Sequence, residues 1–408
     1  MRDKNFNLRH LRAFREIAIH QSISHAAIKI HLSQPAVTQA LGKLESVLGT
    51  PLFDRRGRGM FLNEPGSLIL HRVESALTLI EEGARIALRS AAKGQARGFT
   101  NFDRLVTSAQ LRALLAVVEA GNFSLAARSI GISQPSLHRT ARDLEKLSGL
   151  ILFNRVRLGI EVTPSAKTLA KHARLAFSEL EQGVDEIQAW RGFDTGRIVI
   201  GTMPLARTII LPHAINALLE VRPNVDVSVI DGPYEDLLHG LRHGQIDLLT
   251  GALRDPLPVS DVSQEVLFSD PLAIVARAGH PLSKKKNLSV DDLAVYAWAV
   301  PRAGTPTRQF FDNMFAGTAD AGARHVIEAS SLVLIRGLLS DSDRLTIMSA
   351  HQIHHEEEQG LLCRLDFDMS ATSRAIGITM RQNWRATATQ TMFLQFLRQA
   401  GQLVNTLI

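Results

Sequence analysis

Apolar residues near the N-terminus recur at intervals of three, the spacing that predicts an amphipathic helix. They are Leu8, Leu11, Phe14 and Ile17. Ser24 is expected to cap a short second helix, in which the pair Ala26–Ala27 would let a neighbouring helix approach closely. Ser33 is expected to cap a third helix with Pro35 in its first turn, where the missing N–H does no harm.

The third helix is predicted to bury one face, made by Val37, Leu41, Leu44 and Leu48, and to expose the other, made by Thr38, Gln39, Gly42 and Lys43. The following segment, PLFDRRGRGMFLNEPG, predicts a two-stranded hairpin with a glycine-rich tip. Helix, short helix, tight turn, longer helix and hairpin are typical of a winged helix-turn-helix, with Arg55, Arg56 and Arg58 on the wing for phosphates or a minor groove. A three-helix core that binds no DNA would explain the apolar pattern equally well.

The whole pattern returns after an offset of 100 residues. The phrase LSQPAVTQALGKLE at 32–45 is answered by ISQPSLHRTARDLE at 132–145. Further matches pair Ala26–Ala27 with Ala126–Ala127, Gly49 with Gly149, Leu52–Phe53 with Leu152–Phe153 and Arg55 with Arg155. Near residue 63 the register is expected to slip by one, where LNEPG answers VTPSA. This density of matches indicates a tandem duplication.

From Arg197 onward short aliphatic runs alternate with helical stretches. The first set is RIVIGT, DVSVID and DLLTGAL, and the second set contains LAIVARA, the helix RQFFDNMF, the segment SLVLIRGLLS, RLTIMS and AIGITMR. Strands alternating with helices predict parallel sheets covered by helices on both faces. We therefore expect two α/β lobes, with the last helix, TMFLQFLRQAGQLV, returning to the first lobe.

The charge of the chain is uneven along its length. Residues 1–100 carry 15 Lys and Arg against 8 Asp and Glu, residues 101–195 carry 12 against 10, and the rest carry 19 against 22. A basic N-terminal part joined to a mildly acidic remainder suits a polyanion-binding module on a ligand-binding body. The charged start and the absence of a long apolar run favour a cytoplasmic protein, and a single cysteine, Cys363, fits a reducing compartment.

The pattern A-A-x(5)-S-Q-P-A-V-x(6)-L-E-x(3)-G-x-x-L-F-x-R resembles the N-terminal domain of LysR-type transcriptional regulators. The resemblance extends along the chain and implies an α+β multidomain protein. Two tandem winged helix-turn-helix domains with helical linkers would precede a two-lobed α/β effector-binding domain similar to periplasmic binding proteins. It also implies double-stranded DNA and a small-molecule effector as partners, a homodimer or homotetramer, and a contact to RNA polymerase. The usual member has one such DNA-binding domain, so the duplication is a departure.

The two copies differ at the positions expected to read bases. Where the family commonly carries Ser-Arg, the first copy has Thr38–Gln39 and the second has His138–Arg139. DNA binding by both copies, by the first alone and by the second alone all stay open. The candidate DNA-binding residues are Ser33, Gln34, Pro35, Thr38, Gln39, Lys43, Arg55, Arg56, Arg58, Ser133, Gln134, Pro135, His138, Arg139, Arg142, Lys146 and Arg155.

Each copy is followed by an amphipathic helical segment, at 66–90 and 165–190. In the family the equivalent helix pairs with its partner in a dimer, and the alternative is a helix that packs on its own domain. The predicted domains are 6–65 and 105–164 for the winged helices, 66–100 and 165–195 for the linker helices with their linkers, and 196–408 for the effector-binding domain.

A ligand is expected between the lobes at the carboxyl ends of strands, where helix N-termini favour an anion. The candidate effector-binding residues are Thr202, Met203, Pro204, Gly232, Pro233, Tyr234, Gly304, Thr305 and Arg308. The guanidinium of Arg308 would suit a carboxylate, and each loop residue has the alternative of capping its own helix. The suggested effector is an organic acid, aromatic or sugar-derived.

No other group of residues indicates chemistry. The histidines at 351, 354 and 355 precede three glutamates but lack a His-Glu-x-x-His order and predict a solvated helix face rather than a metal site. Lys284–Lys286 predicts surface charge. There is no phosphate-binding loop or nucleophile elbow, so neither a catalytic residue, a metal nor a cofactor is expected. Rival interpretations are a small-molecule receptor whose N-terminal domains serve only assembly, and an architectural DNA-binding protein of low specificity.

Overall fold

The computed structural model describes residues 6–57, 59–90, 102–157, 159–193, 195–316 and 325–406. The chain divides into two compact units. The N-terminal unit comprises the residues up to Arg197 together with the short segments 224–226 and 242–245, and the C-terminal unit comprises the others. None of the described helices combines the length and the apolar character that a membrane span requires.

The N-terminal unit begins with three helices and a hairpin. The helices are α1 (Leu8–His20), α2 (Ile23–Lys29) and α3 (Gln34–Leu48), and the hairpin pairs β1 (Phe53–Arg56) antiparallel with β2 (Gly59–Leu62). The predicted stripe of α1 is fully buried, with each side chain at most 1% exposed. Because a 13-residue helix is marginal in water, this burial rather than intrinsic propensity holds α1 in place.

The start of α2 differs from the prediction. The hydroxyl of Ser22, not of Ser24, caps the helix, and it accepts a hydrogen bond from the backbone N–H of His25 at 3.3 Å. The reason is Ile23, whose side chain packs against the apolar core and therefore already belongs to the helix. Ser33 caps α3 as predicted, and Pro35 lies in its first turn.

The same order of elements returns 100 residues later. After the linker helix α4 (Glu64–Ser90) and the short α5 (Phe102–Leu105) come α6 (Ser108–Ala120), α7 (Phe123–Ser129), α8 (Gln134–Ser148), β3 (Phe153–Val156), β4 (Gly159–Val162) and α9 (Pro164–Trp190). Apart from α5, each begins and ends 100 residues after its counterpart. We call residues 8–90 repeat 1 and residues 108–190 repeat 2. The predicted linker at 91–103 falls mostly on residues 91–101, which lie outside the described residues.

The offset of 100 continues into the long helices, so the predicted one-residue slip near residue 63 is wrong. Asn63 and Thr163 stand at equivalent positions. Each side chain accepts a hydrogen bond from the backbone N–H three residues later, at 2.9 and 3.2 Å, and donates one to the backbone carbonyl twelve residues earlier, at 3.0 and 2.9 Å. The predicted slip aligned Pro65 with Pro164, but these prolines occupy successive positions in the first turns of α4 and α9.

The two long helices pack against each other within one chain. The hydroxyl of Ser165, near the start of α9, donates to the carbonyl of Ala87, near the end of α4, at 3.2 Å, and the pair is therefore antiparallel. The guanidinium of Arg12 in repeat 1 also donates to the carbonyl of Asp103 in α5, the short helix that precedes repeat 2. The linker helices had been expected either to meet a second chain or to lie on their own domains. Each helix contacts the other and also the first helix of its own repeat, and the expected pairing with a second chain stays a prediction.

The C-terminal unit contains ten strands and seven helices among its described residues. The strands are β5 (Arg197–Thr202), β6 (Asp226–Asp231), β7 (Leu248–Ala252), β8 (Val262–Asp270), β9 (Leu272–Arg277), β10 (Trp298–Val300), β11 (Val326–Glu328), β12 (Leu345–Ser349), β13 (Leu362–Arg364) and β14 (Arg374–Arg381). The helices are α10 (Ile210–Val221), α11 (Tyr234–Arg242), α12 (Val290–Ala294), α13 (Pro306–Met314), α14 (Leu332–Ser340), α15 (His354–Glu358) and α16 (Ala388–Thr406).

Two five-stranded sheets form the two lobes. The first has the order β6-β5-β7-β14-β8 and the second β11-β10-β12-β9-β13. Both sheets are mixed, which corrects the expectation of parallel sheets. Strands β5 and β7 are parallel but β14 runs antiparallel to β7 and β8, and β9 runs antiparallel to β12 and β13. Strand β9 enters the second lobe one residue after β8, and β14 returns to the first lobe after β13, so neither connection contains the crossover helix that joins parallel neighbours.

The strand AIGITMR had been assigned to the second lobe, and this assignment is wrong. The segment forms most of β14, which pairs with β7 and β8 in the first sheet. The last helix, α16, contacts α10 and β8 and so returns to the first lobe as predicted.

Candidate nucleic-acid interface and ligand cleft

The outward face of α3 carries the residues predicted to read DNA in repeat 1. Gln39 and Lys43 are exposed, and Thr38 is exposed but its hydroxyl already donates to the carbonyl of Gln34 at 3.0 Å. This local bond leaves the Thr38 methyl group and one hydroxyl acceptor for a partner. The inward positions Val37, Ala40, Leu41 and Leu44 are at most 5% exposed, which fixes the rotation of the helix about its axis.

The equivalent face of α8 is more basic but partly engaged. Arg139 and Lys146 are exposed, whereas the His138 ring lies against Phe123 with 5.1 Å between ring centroids. Arg142 donates to Glu145 at 2.6 Å. Of the four predicted residues on this face, the two exposed ones are therefore free to meet a partner without first breaking a contact that the structure shows.

One glutamate in each repeat fastens the third helix to the hairpin. The Oε1 atom of Glu45 accepts a hydrogen bond from the backbone N–H of Leu52 at 2.8 Å, and Glu145 accepts one from Leu152 at 2.8 Å. These charge-assisted bonds cross from a helix to the start of β1 or β3 and set the hairpin at the same place in both repeats.

The hairpins present the remaining basic candidates. Arg55, Arg56 and Arg155 are exposed, and Arg56 lies 3.1 Å from Asp54 in an ion pair open to solvent. Arg58 lies outside the described residues. The structure adds Arg157, which is exposed in the turn between β3 and β4 and which the sequence reading passed over. Its position between two short strands was the available signal.

The S-Q-P phrase occupies the N-terminal ends of α3 and α8. Its residues are exposed in both repeats: Ser33, Gln34, Pro35, Ser133, Gln134 and Pro135. Each serine hydroxyl caps its helix by accepting from the backbone N–H three residues later. The first turn of each helix therefore offers backbone N–H groups and a positive dipole end to an anion such as a phosphate.

A cavity of about 200 Å³ opens between the two lobes of the C-terminal unit. The segments after β5, β7 and β10 contribute to its wall, together with the N-terminal ends of α13 and α14. Among the predicted effector-binding residues, Met203, Pro204 and Thr305 line it. Met203 reaches this position because Gly251 has no side chain: a Cβ there would lie 2.3 Å from its Cε atom.

The other predicted residues do not line the cavity. Thr202 is fully buried and accepts a hydrogen bond from Thr250 at 3.1 Å. Gly232 and Pro233 precede α11, and Gly304 precedes the α13 cap, Thr305. Arg308 is held on α13, where its guanidinium lies 2.8 Å from Asp312 and 3.6 Å from Glu328.

Two arginines that the sequence reading missed line the cavity, Arg254 and Arg374. The Arg254 guanidinium lies 4.5 Å from the centroid of the Tyr234 ring, so the predicted tyrosine contacts this arginine through a cation–π interaction. Arg254 follows β7 by two residues, and the rule that ligands meet strand ends would have nominated it. Arg374 begins β14 and escaped notice because that strand had been placed in the wrong lobe.

Arg374 is only partly satisfied by its neighbours. Its Nη1 atom donates to the Thr307 hydroxyl at 3.1 Å, and Nη2 lies 3.7 Å from Asp270. Its Nε atom is buried and has no hydrogen-bond partner among the described residues. Burial lowers the pKa of Arg374, the charge of Asp270 opposes this, and the positive charge of Arg254 adds to the lowering. A hydrogen-bond acceptor on a ligand bound at this wall would supply the partner that the Nε–H group of Arg374 lacks.

Asp270 and His351 form a buried titratable pair beside Arg374. Asp270 accepts from the Ser349 hydroxyl at 2.5 Å, and its Oδ1 atom lies 3.7 Å from Nε2 of His351. Burial raises the pKa of Asp270 to about 6 and lowers the pKa of His351 to about 4. Between these values both groups are neutral, so their proximity is not an ion pair in that range of pH.

Within the described part of the chain, no group of three or more His, Cys, Asp and Glu side chains is placed to hold a metal ion. His354 pairs with Glu358 and His355 contacts Gln359, each four residues along α15. Cys363 is half-buried, and burial raises the pKa of its thiol.

Three matches to known families cover most of the chain. The family described as bacterial regulatory helix-turn-helix protein, lysR family, matches residues 8–67 and again residues 108–167. The LysR substrate binding domain matches residues 191–402. The chain belongs to the LysR family of transcriptional regulators, and it is a DNA-binding regulator controlled through an effector-binding domain rather than an enzyme.

The relatives differ in how much of the chain they cover. The HTH-type transcriptional regulator GalR of Pseudomonas putida is 33% identical over 393 residues, which are 96% of this chain and 97% of that protein. The HTH-type transcriptional regulator PcaQ of Agrobacterium fabrum is 26% identical over 299 residues, 73% of this chain and 96% of that protein. The first alignment is long enough to include both repeats, whereas the second is shorter by about one repeat.

Solved structures support the fold. Full-length CbnR complexed with its target DNA matches with a TM-score of 0.50 at 20% identity, covering 72% of this chain and 100% of that chain. A full-length OxyR variant from Pseudomonas aeruginosa matches with a TM-score of 0.51 at 21% identity, covering 73% of this chain and 95% of that chain.

Proposed function

We propose that repeat 1 and repeat 2 are both winged helix-turn-helix DNA-binding domains that arose by tandem duplication. The observation that carries this proposal is the same construction in both repeats. An S-Q-P phrase opens a third helix with polar or basic residues outward, and a glutamate at equivalent positions fastens a hairpin beside it. A repeat kept only for assembly would have no need to preserve this exposed surface.

Two further facts support DNA binding by both repeats. The lysR-family helix-turn-helix description fits each of them separately, and the GalR relative is long enough to carry both. Each repeat also has more basic than acidic residues, by 4 in residues 8–90 and by 2 in residues 108–190. The basic surplus suits phosphate contacts, which supply affinity, while the outward residues of α3 and α8 supply specificity.

Substituting one exposed residue in each third helix tests this proposal. Gln39→Ala and Arg139→Ala change equivalent positions, and each is expected to weaken binding to DNA selected from random duplexes by about 10-fold or more, since a good side-chain contact to a base is worth about 1–3 kcal/mol. Affinity is measured by fluorescence anisotropy at two salt concentrations, because lost phosphate contacts change the salt dependence whereas lost base contacts do not.

The matched control is Lys284→Ala, which removes one exposed positive charge from the C-terminal unit and should leave the affinity unchanged. If only one of the two variants loses affinity for the selected DNA, the repeat whose substitution has no effect serves as a scaffold. Equal weakening on random and selected DNA would point instead to an architectural protein. If the wild-type protein binds no DNA, the remaining interpretation is a small-molecule receptor whose N-terminal domains serve only assembly.

We also propose that the effector is a small anion bound at Arg254 and Arg374. Both guanidinium groups line the cavity, Arg374 has an unpaired Nε atom among the described residues, and Asp270 is the carboxylate near it. The N-terminal ends of α13 and α14 add positive dipole ends at the same wall. At about 200 Å³ the cavity is below the roughly 300–1,000 Å³ usual for drug-sized ligands, so a compact acid fits best.

Calorimetry with matched acids and neutral analogues tests the effector class. The panel is benzoate against benzamide, succinate against succinamide and gluconate against glucose. Arg254→Gln and Arg374→Gln are each expected to weaken binding of the best acid by about 10–100-fold, because a charged hydrogen bond is worth about 1.5–3 kcal/mol. Arg308→Gln is the control, since Asp312 and Glu328 already engage that guanidinium.

Binding of the neutral analogues alone would overturn the anion proposal. If Arg308→Gln loses acid binding and Arg374→Gln keeps it, the acid binds at Arg308 on α13 and not at Arg374. Thermal unfolding of each variant separates a lost contact from a lost fold, and Arg254→Gln is the safer variant because its guanidinium rests on an aromatic ring rather than on a buried carboxylate. The number of chains in the assembly and the contact to RNA polymerase stay predictions.

A further inference from the structure

The pair formed by α4 and α9 has an internal twofold relationship. Gly83 of α4 lies against His172 of α9, and Gly183 of α9 lies against Arg72 of α4. Residues 83 and 183 are equivalent in the two repeats, as are residues 72 and 172. A Cβ at either glycine would come within 3.1 Å of the facing side chain, so both glycines permit the close approach of the helices. One chain thus holds its repeats as a dimer would hold two subunits.

This relationship breaks at one buried polar cluster. The side chain of Arg72 is fully buried, and its guanidinium donates to Glu179 at 2.9 Å, to Gln182 at 2.8 Å and to Glu186 at 2.6 and 3.2 Å. Burial lowers the pKa of Arg72, but the hydrogen bonds and charges of Glu186 and Glu179 outweigh it, so the net pKa is raised. In repeat 2 the position equivalent to Arg72 holds His172. In α4 the positions equivalent to Glu179, Gln182 and Glu186 hold Leu79, Glu82 and Ile86.

The cluster therefore discriminates between possible helix pairs. If α4 paired with α4 of a second chain in the same register, Leu79 and Ile86 would replace both carboxylates that hold Arg72, and only Glu82 would stand near it. If α9 paired with α9, Glu179 and Glu186 would face histidine instead of arginine. Burying a charge without its partner is far more costly than burying the completed pair. Hence α4 selects α9, and the contact of Arg12 with Asp103 in α5 ties repeat 1 to the segment that precedes repeat 2.

The two reading surfaces held by this pair are not alike. Repeat 1 presents Gln39 and Lys43 outward, whereas repeat 2 presents Arg139 and Lys146. Glutamine at a base edge suits adenine and arginine suits guanine, so the two helices prefer different sequences. A symmetric dimer of identical subunits reads a palindrome, but a pair of unlike repeats does not.

We infer that a single chain is a complete two-headed DNA reader whose target is a pair of unlike half-sites in a fixed order. The inference rests on the proposed function, since it requires both repeats to bind DNA. Repeat 1 occupies one half-site and repeat 2 the other, and reversing the order of the half-sites on the DNA reverses the orientation of the bound chain.

The test combines selection with directed cleavage, using the full chain. Duplexes are selected from random sequence with the wild-type protein. An iron chelate is then attached at His25→Cys or at Leu125→Cys, each in a Cys363→Ser background. These two positions are equivalent in the repeats, are exposed and lie on α2 and α7, outside the proposed reading residues. Retained affinity for the selected duplex shows that attachment has not disturbed binding.

The expected result is a selected sequence with unlike half-sites and cleavage by each probe beside one half-site only. The two probes should cut beside different half-sites, and exchanging the half-sites should exchange the two cleavage patterns. A palindromic selected sequence, or cleavage beside both half-sites by each probe, would overturn the inference while leaving the DNA-binding function in place. Failure to enrich any sequence would instead overturn the proposed function, and this inference with it.

Discussion

Replacing Arg72 with leucine is expected to lower the free energy of unfolding of the N-terminal unit by about 3–5 kcal/mol, the usual cost of removing one member of a buried charged cluster. The substitution leaves Glu179 and Glu186, which are 15% and 12% exposed, on the same face of α9 without a cation. In this variant the α4–α9 pair should unfold at a lower urea concentration than the rest of each repeat. Hydrogen exchange of the α4 and α9 peptides, together with urea unfolding followed by circular dichroism, measures both effects.

Two comparisons make the Arg72 prediction specific. Arg85→Leu removes an exposed arginine from the same helix and should change the stability by less than about 0.5 kcal/mol. Adding Glu179→Leu and Glu186→Ile to Arg72→Leu installs on α9 the residues that α4 carries at the equivalent positions, and should recover most of the loss because no charge is then stranded. A cost for Arg72→Leu no larger than that for Arg85→Leu would contradict the role given to the cluster.

The contributions of Asp270 and His351 to the stability of the C-terminal unit are expected to cancel between about pH 4 and 6, because they change with pH in opposite directions there. The pKa of Asp270 is raised to about 6 in the folded state, so its contribution is present at low pH and is lost as the pH rises through this range. The pKa of His351 is lowered to about 4, so its contribution is present at higher pH and is lost as the pH falls. Each term is about 3 kcal/mol at most.

Single substitutions should expose each term by itself. In Asp270→Asn the stability should rise with pH from about 4 to about 6.5, and in His351→Gln it should fall from about pH 4 to about 6. Urea unfolding in a Trp190→Phe background reports on this unit, because the remaining tryptophans are Trp298 and Trp384. Parallel pH profiles for the two variants would show that the buried pair does not control the dependence.

Local features of the N-terminal unit were predictable because their determinants lie close together in the sequence. The cap at Ser33, the proline two residues later and the buried stripe of α3 involve neighbours within one helix. The start of α2 was missed because Ser24 also satisfies the capping rule, and only packing of Ile23 against the core excludes it. Local chemistry offered two answers there, and tertiary contact chose between them.

The ligand cleft was predicted only where a strand end alone defines it. Met203, Pro204 and Thr305 follow from that rule, whereas Arg374 depends on β14 pairing antiparallel with β7, a contact between distant parts of the sequence. The Arg72 cluster was missed for a similar reason. An arginine in an amphipathic helix looks like surface charge until the helix that buries it is known.

Since α4 and α9 belong to one polypeptide, dilution does not separate them. A regulator assembled from two chains loses its paired heads when its cellular concentration falls below the dissociation constant of the dimer, and the occupancy of its target then falls with the square of the concentration. Here the second helix is supplied by the same chain, at the high effective concentration that a covalent connection provides. If both repeats read DNA as proposed, their pair persists at copy numbers too low to sustain a dimer, and the response to changing protein level is proportional rather than steep.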